Sequence, residues 1–256
     1  MTEPPGTDLV ATEQVGRVLV IAMQRPHKRN AVDRALADAL SGALDRLDDD
    51  PDLWAGVLTG TPDMFSAGSD LTSGGDYVTE RGGEYGIIRR ARRRPLIAAV
   101  EGMALGGGME IVLACDLVVA ATTASFGMPE VTRGLVPTCG GLFRSLLAMP
   151  RNLAHELVLT GRPIDAGRAH GAGLVNRLSE PGRSVEVALE LAEEITSNGP
   201  TAVALALQAM QELDAATAAL GWPATDRATT AVSTSEDVRE GVAAFLEKRA
   251  PVWSGR

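Results

Sequence analysis

The sequence predicts an α/β protein: a sheet of mostly parallel strands with helices packed outside it, followed by an all-helical C-terminal region. Three observations carry the prediction. Short β-rich apolar runs alternate with segments whose apolar residues recur at helical spacing, and the order strand, strand or loop, helix recurs about three times. Beyond about residue 184 the strand-like runs stop and alanine-rich helical patterns take over. Hydrophobic residues make up 45% of the 256-residue chain but aromatics only 4%, so the core that this length can bury is aliphatic and alanine-rich.

The elements follow in order. "RVLVIAM" (17–23) is a short β-rich run. A helix then starts near Ala31, with Val32, Leu36, Leu40, Leu44 and Leu47 on one stripe, Asn30 as its N-cap and Pro51 past its end. "WAGVLTG" (54–60) is a second strand, followed by a loop, "TPDMFSAGSDL" (61–71), and a glycine-rich stretch, "TSGGDYVTERGGEYG" (72–86). "PLIAAVEG" (95–102) is a strand, "GGMEIVLAC" (107–115) a helix and "LVVAA" (117–121) a strand. "SVEVALELAEEITSNGP" (184–200), "TAVALALQAMQELDAA" (201–216) and "SEDVREGVAAFLEKRAP" (235–251) are helices with no sheet to cover, a pattern that points to packing on a second copy of the chain.

Composition excludes several classes of function. A formal net charge of −9 argues against broad nucleic-acid binding and against an anionic membrane surface, though a local basic cluster could still hold a small anion. Two cysteines, Cys115 and Cys139, are too few for a disulfide framework and are expected to be reduced. The opening "MTEPPGTDL" has neither the basic nor the apolar region of a signal peptide, and Glu110 and Asp116 interrupt the longest apolar runs, so a soluble, cytoplasmic protein is expected. His27, His155 and His170 show no metal-ligand spacing, and no dinucleotide fingerprint is present. The arginines of "RRARRRP" read as a solvated helix end, and Trp54, Trp222 and Trp253 as core or interface residues.

Three stretches carry possible chemistry. In "GMALGGGMEIVLACD" (102–116) three glycines open an apolar helix that contains a lone acid, Glu110. The first N–H groups of a helix lack intrahelical partners, and glycine lets a ligand oxygen approach them closely, so this opening suits an oxyanion; it equally suits a tight strand-to-helix turn. Gly107 and Glu110 lie three apart, on one helix face, with a rise of about 4.5 Å between them. "FSAGSDL" (65–71) joins a strand to a polar loop that can expose another backbone N–H; alone it reads as a turn, and it is not a nucleophile elbow. In "ASFGMPEVTRGLVPTCGG" (124–141) Glu130 follows a proline among apolar residues, and alone it reads as an acid at a helix start.

Taken together, "FSAGSDL", "VEGMALGGGMEIVLACDLVVAA", "ASFGMPEVTRGLVP" with its later "GG", and "FLEKRAPVW" resemble the enoyl-CoA hydratase (crotonase) family, in order and separation, across nearly the whole chain. The resemblance implies a crotonase-like spiral of ββα units at 1–195 that binds an acyl-CoA thioester, and a helical trimerisation region at 196–256, assembled as a homotrimer or hexamer. It implies an oxyanion hole built from the backbone N–H groups of Ser69 and Gly107. It places the two glutamates of the hydrating members on Glu110 and Glu130. Lys28 and Ala31 fall in a CoA-contacting loop, Ser66, Gly68, Asp70 and Leu71 flank the thioester and pantetheine, and Phe245 and Lys248 reach the adenine end, often in a neighbouring subunit. Coenzyme A enters as part of the substrate, so no separate cofactor or metal is expected. The chain departs from the family at Pro137-Thr138-Cys139-Gly140-Gly141, where Pro-Gly is common; Thr138 adds bulk and a hydroxyl near the acyl pocket.

Hydration of an enoyl thioester puts negative charge on the thioester oxygen, which two fixed N–H donors stabilise; losing one such donor costs about 2.7–4 kcal/mol of barrier. It also needs a group for the water at Cβ and a proton source at Cα, assigned here to Glu110 and Glu130 respectively. Two carboxylates at about 5 Å and an effective dielectric near 20 repel by roughly 3 kcal/mol, about two pKa units shared by the pair, so one is expected to hold a proton near neutral pH. A carnitinyl-CoA-type dehydratase, an enoyl-CoA isomerase and a non-catalytic acyl-CoA-binding subunit are the alternatives. The presence of both glutamates speaks against the isomerase and the binder.

Overall fold

A computed structural model describes residues 9–74 and 77–256. The reading of the first eight residues, and residues 75–76 of the glycine-rich stretch, lie outside that range.

The chain opens with β1 (Val10–Val15) and β2 (Val18–Met23), an antiparallel pair turning at Gly16-Arg17, and then α1 (Arg34–Asp49). The apolar stripe of α1 is buried as its spacing predicts, but the helix starts later: Asp33, not Asn30, is the N-cap, accepting from Leu36 N at 2.9 Å. Asn30 instead has φ 50° and works as a staple described below.

Next come β3 (Ala55–Thr59), β4 (Met64–Ser66), a two-stranded flap of β5 (Val78–Thr79) and β6 (Gly83–Glu84), then β7 (Leu96–Val100), β8 (Met103–Leu105) and α2 (Gly107–Leu113). They are followed by β9 (Leu117–Ala121), β10 (Ser125–Gly127), α3 (Gly141–Ala148), α4 (Arg151–Thr160), β11 (Ile164–Asp165), α5 (Ala166–Gly171), β12 (Arg177–Ser179), α6 (Ser184–Thr196), α7 (Pro200–Ser233) and α8 (Glu236–Glu247).

Three successive units, β3–β4, β7–β8 and β9–β10, each lay one strand in a large sheet and the next in a small one. The large sheet runs β1-β2-β3-β7-β9-β12, parallel from β2 onward, and the small one β11-β10-β8-β4. This is the spiral of ββα units that the resemblance implies.

Period-two alternation divides the large sheet. Leu19, Ile21, Leu58, Ala98, Val100 and Val118 face the main core with α1 and α2, whereas Val18, Val20, Val57, Ile97, Ala99 and Val119 face α6 through Ala188 and Ala192. Helix α6 therefore does cover a sheet, against the expectation for the segment from residue 184; its alanines let it lie close to the strands.

Two further readings need correction. The arginines of 89–94 are not a solvated helix end, because Arg90 and Arg92 are buried and ion-paired, to Asp45 and Asp48 and to Asp116. The pattern that fades at residue 216 continues as helix to Ser233, through Pro223. An interior proline removes a helix hydrogen bond. Here tertiary packing holds the helix, with Trp222 edge-on to Phe143 of α3 at 5.0 Å and the Arg89 guanidinium stacked 3.7 Å from Trp222.

Candidate active site

The loop after β4 is wired to the turn before α1. Asn30 accepts from Arg25 N at 2.8 Å and donates through Nδ2 to the carbonyls of Met64 and Phe65. Ser66 Oγ donates to Asn30 O at 2.8 Å, Ala67 N to Arg29 O, and Val32 N to Gly68 O at 2.7 Å. Asp70 N returns to Val32 O, making a parallel bridge at Val32 and Ser69. In that pattern the flanking residues bond the partner strand, so the Ser69 amide points to the opposite side.

Asp70 is 4% exposed. Its carboxylate pairs with Arg25 at 2.9 Å, lies 3.5 Å from Lys28 Nζ and accepts from Thr72. Burial opposes its ionisation, but hydrogen bonds from Thr72 and Arg25 more than offset that, and its pKa falls well below the usual carboxylate range.

The start of α2 meets this loop. A Cβ placed on Gly68, whose φ is +85°, would lie 2.6 Å from Gly107 N, so the two backbones touch. Gly107 is the first residue of α2, where an N–H has no intrahelical acceptor. Tyr85, 1% exposed and with φ 55°, lays its ring on Gly107: a Cβ there would collide with the phenol oxygen and come within 2.7 Å of Cζ. The same oxygen is 2.6 Å from Ser69 Oγ.

The acids stand to either side. Glu110, 1% exposed on the first turn of α2, accepts through Oε1 from Cys139 N at 2.7 Å and Gly141 N at 2.8 Å. Gly106 precedes the helix, and a Cβ on it would lie 3.2 Å from Glu130 Oε1. Glu130 sits on a 3-10 turn, Pro129–Arg133, directly after β10, whose Gly127 O accepts from Gly106 N. Parallel pairing of β8 with β10 thus sets the two acids against one helix start.

Comparison with known proteins decides the family. A model of the enoyl-CoA hydratase/isomerase family matches residues 13–256. The chain belongs to the enoyl-CoA hydratase/isomerase family. It is 35% identical to 2,3-dehydroadipyl-CoA hydratase from Escherichia coli (strain K12), covering 98% of this chain and all of that one. It is 38% identical to enoyl-CoA hydratase EchA19 from Mycobacterium tuberculosis, over 95% of this chain and 96% of the relative. Among solved structures, carnitinyl-CoA hydratase from Mycobacterium avium superposes with a TM-score of 0.89 at 42% identity, covering 98% of this chain and 100% of that one.

Of the residues that the family resemblance singles out, Ser66, Gly68, Ser69, Gly107, Glu110 and Glu130 come together around the start of α2. Lys28, Ala31 and Asp70 adjoin them through the Arg25 network, in which Ala31 O accepts from Arg25 Nη1 at 2.8 Å. Ser66 is fully buried, its hydroxyl taken up by Asn30 O, whereas Leu71 is 41% exposed.

Phe245 and Lys248 lie at the end of α8, which packs on the Glu130 turn of the same chain. The Phe245 ring is stacked on the Arg133 guanidinium at 4.4 Å, and Lys248 is a left-handed C-cap. Sequence reasoning missed Arg25 and Tyr85, and, though it placed the stretch 137–141 near the acyl pocket, it missed that the amides of Cys139 and Gly141 hold Glu110. The one available signal was the glycines flanking Tyr85, which mark a backbone held in unusual geometry.

Proposed function

We propose that this family member is an enoyl-CoA hydratase, a hydro-lyase that reversibly adds water across the 2,3-double bond of an α,β-unsaturated acyl-CoA thioester. The observation that carries this reading is the pairing of Glu110 and Glu130 across one helix start, beside the contact of Gly68 with Gly107. The amides of Ser69 and Gly107 stabilise the charge that develops on the thioester oxygen.

The oxygen of water bonds to C3, the π electrons move toward the thioester carbonyl, and the resulting enolate takes a proton at C2. Glu110 orients the water and receives its proton, and Glu130 delivers the proton to C2. The two main-chain donors on Glu110 Oε1, Cys139 N and Gly141 N, fix that carboxylate's direction. Dehydration of a 3-hydroxyacyl-CoA retraces these steps.

Coenzyme A is bound as part of the substrate, with Lys28 near its phosphates and Ala31, Gly68 and Leu71 along the pantetheine and thioester, on a loop that the buried Ser66 and Asp70 hold in place rather than line. Phe245 and Lys248 lie toward the adenine. The described residues up to 195 form the acyl-CoA-binding core, and 196–256 form the helical region through which a cytoplasmic homotrimer or hexamer assembles. Dehydration of a carnitinyl-type substrate is a second reading on the same groups, favoured by the likeness to the carnitinyl-CoA hydratase.

A panel of enoyl-CoA and hydroxyacyl-CoA thioesters incubated in isotopically labelled water and read by mass spectrometry tests this. The expected result is gain of one labelled water by at least one enoyl thioester. Thioesters that bind unchanged would make the protein an acyl-CoA binder, and a double-bond shift without mass gain would make it an isomerase.

A further inference from the structure

We propose that Tyr85 is a positioning residue of the oxyanion site, its phenol bridging Ser69 and Gly107, the residues that carry the two main-chain donors. The proposal rests on the acyl-CoA reading above. The donors come from separate elements, the loop after β4 and the start of α2, and their relation must hold to a fraction of an ångström for both to serve one oxygen.

Tyr85 touches both. Its hydroxyl lies 2.6 Å from Ser69 Oγ, and its ring rests on Gly107 so closely that residue 107 has no room for a side chain. The residue is held there at a cost in backbone strain. Tyr85 has φ 55°, a left-handed conformation that a bulky residue rarely adopts, and such strain persists only where the surroundings over-determine it.

The surroundings do so. Tyr85 N donates to Tyr77 O at 2.7 Å, the next residue, Gly86, is pressed against α1 with Ala37 O 2.5 Å from where its Cβ would stand, and Arg90 N donates to Ile87 O while its side chain is locked to α1. Tied to α1 by these contacts, the segment can carry the position of α1 to the site. Ser69 follows the Gly68–Gly107 contact, so a bond to its hydroxyl steadies the residue that presents the amide.

The test uses a dimethylaminocinnamoyl-CoA thioester, whose absorption moves to longer wavelength when donors polarise its carbonyl, together with hydration kinetics on crotonyl-CoA. Tyr85→Phe keeps the ring on Gly107 and removes the bridge. The expected result is a smaller red shift than wild type and a fall of about tenfold in kcat, with KM changed less than about twofold. Ser69→Ala removes the same bond from its other end and keeps the amide, so it should match Tyr85→Phe, and the double variant should lose no more than either.

Unchanged red shift and kcat in both single variants would overturn the role of Tyr85 and leave the hydratase reading standing. Independent, multiplying losses in the double variant would also overturn it. A wild-type protein that gives no red shift, or does not bind the thioester, would overturn the acyl-CoA reading and this proposal together.

Discussion

The carboxylate of Asp70 lies among Arg25, Lys28 and Thr72, and these partners keep it charged. Because its folded-state pKa is depressed, the stability it contributes is present above the ordinary carboxylate pKa of about 4 and is lost as pH falls below that toward the folded value. Asp70→Asn should therefore flatten the acid limb of the stability curve below about pH 4, measured by urea unfolding at a series of pH values. An acid limb as steep as wild type would mean that the ion pair with Arg25 does not couple to folding. The same reasoning explains why Asp70, though beside the site, reads as a structural acid: its oxygens are turned to Arg25 and Thr72. Glu110 differs in kind. Its Oε1 accepts from the backbone amides of Cys139 and Gly141, which fix the direction of the carboxylate on the first turn of α2.

Helix α1 carries the loop that places Tyr85, and Arg90 is the joint. Its side chain is 1% exposed and reaches Asp45 at 2.7 Å, Asp48 at 3.3 Å and Ser41 Oγ at 2.9 Å. Removing one partner of a buried pair strands the other, so Arg90→Met should destabilise the fold by about 3–5 kcal/mol in denaturant titration; a loss under about 1 kcal/mol would contradict this account of the joint. Elements with a clear period were legible in the chain. The stripe from Leu36 to Leu47 and the apolar runs at 96–100 and 117–121 fall where the structure has α1, β7 and β9. Glu110 was legible because a lone acid in an apolar run is costly unless it is used. What could not be read depends on distant partners. Arg90 meets its aspartates some 42–45 residues away, Glu110 its donors 29–31 away and Tyr85 its serine 16 away. Local spacing carries no trace of such contacts. Strands β8, β10 and β11 have two or three residues each, too few to show a period. Asn30 misled because a residue suited to capping is also suited to a left-handed turn, and Asp33 took the cap.

The whole molecule leaves one long helix incompletely covered. Leu205, Met210, Leu213 and Leu220 of α7 are each more than 60% exposed, and among the described residues no helix is long and apolar enough to cross a membrane. In the proposed homotrimer or hexamer this surface would be buried between copies. Leu213→Glu with Leu220→Glu should shift the protein to a smaller species in analytical ultracentrifugation; wild type sedimenting as a monomer at micromolar concentration would contradict the proposed assembly. The site itself is a property of the whole core, drawing on residues from Arg25 to Gly141 that only the winding of the two sheets brings together. Its two acids are the centre of the account. The most direct measurement follows the ultraviolet absorbance of crotonyl-CoA as its conjugation is lost, comparing wild type with Glu110→Gln and Glu130→Gln in the same assay. Wild type should turn the thioester over, and each variant should lose at least about 100-fold in kcat/KM with thioester binding retained, if both acids act in the hydration. Hydration at the wild-type rate by either variant would contradict the account.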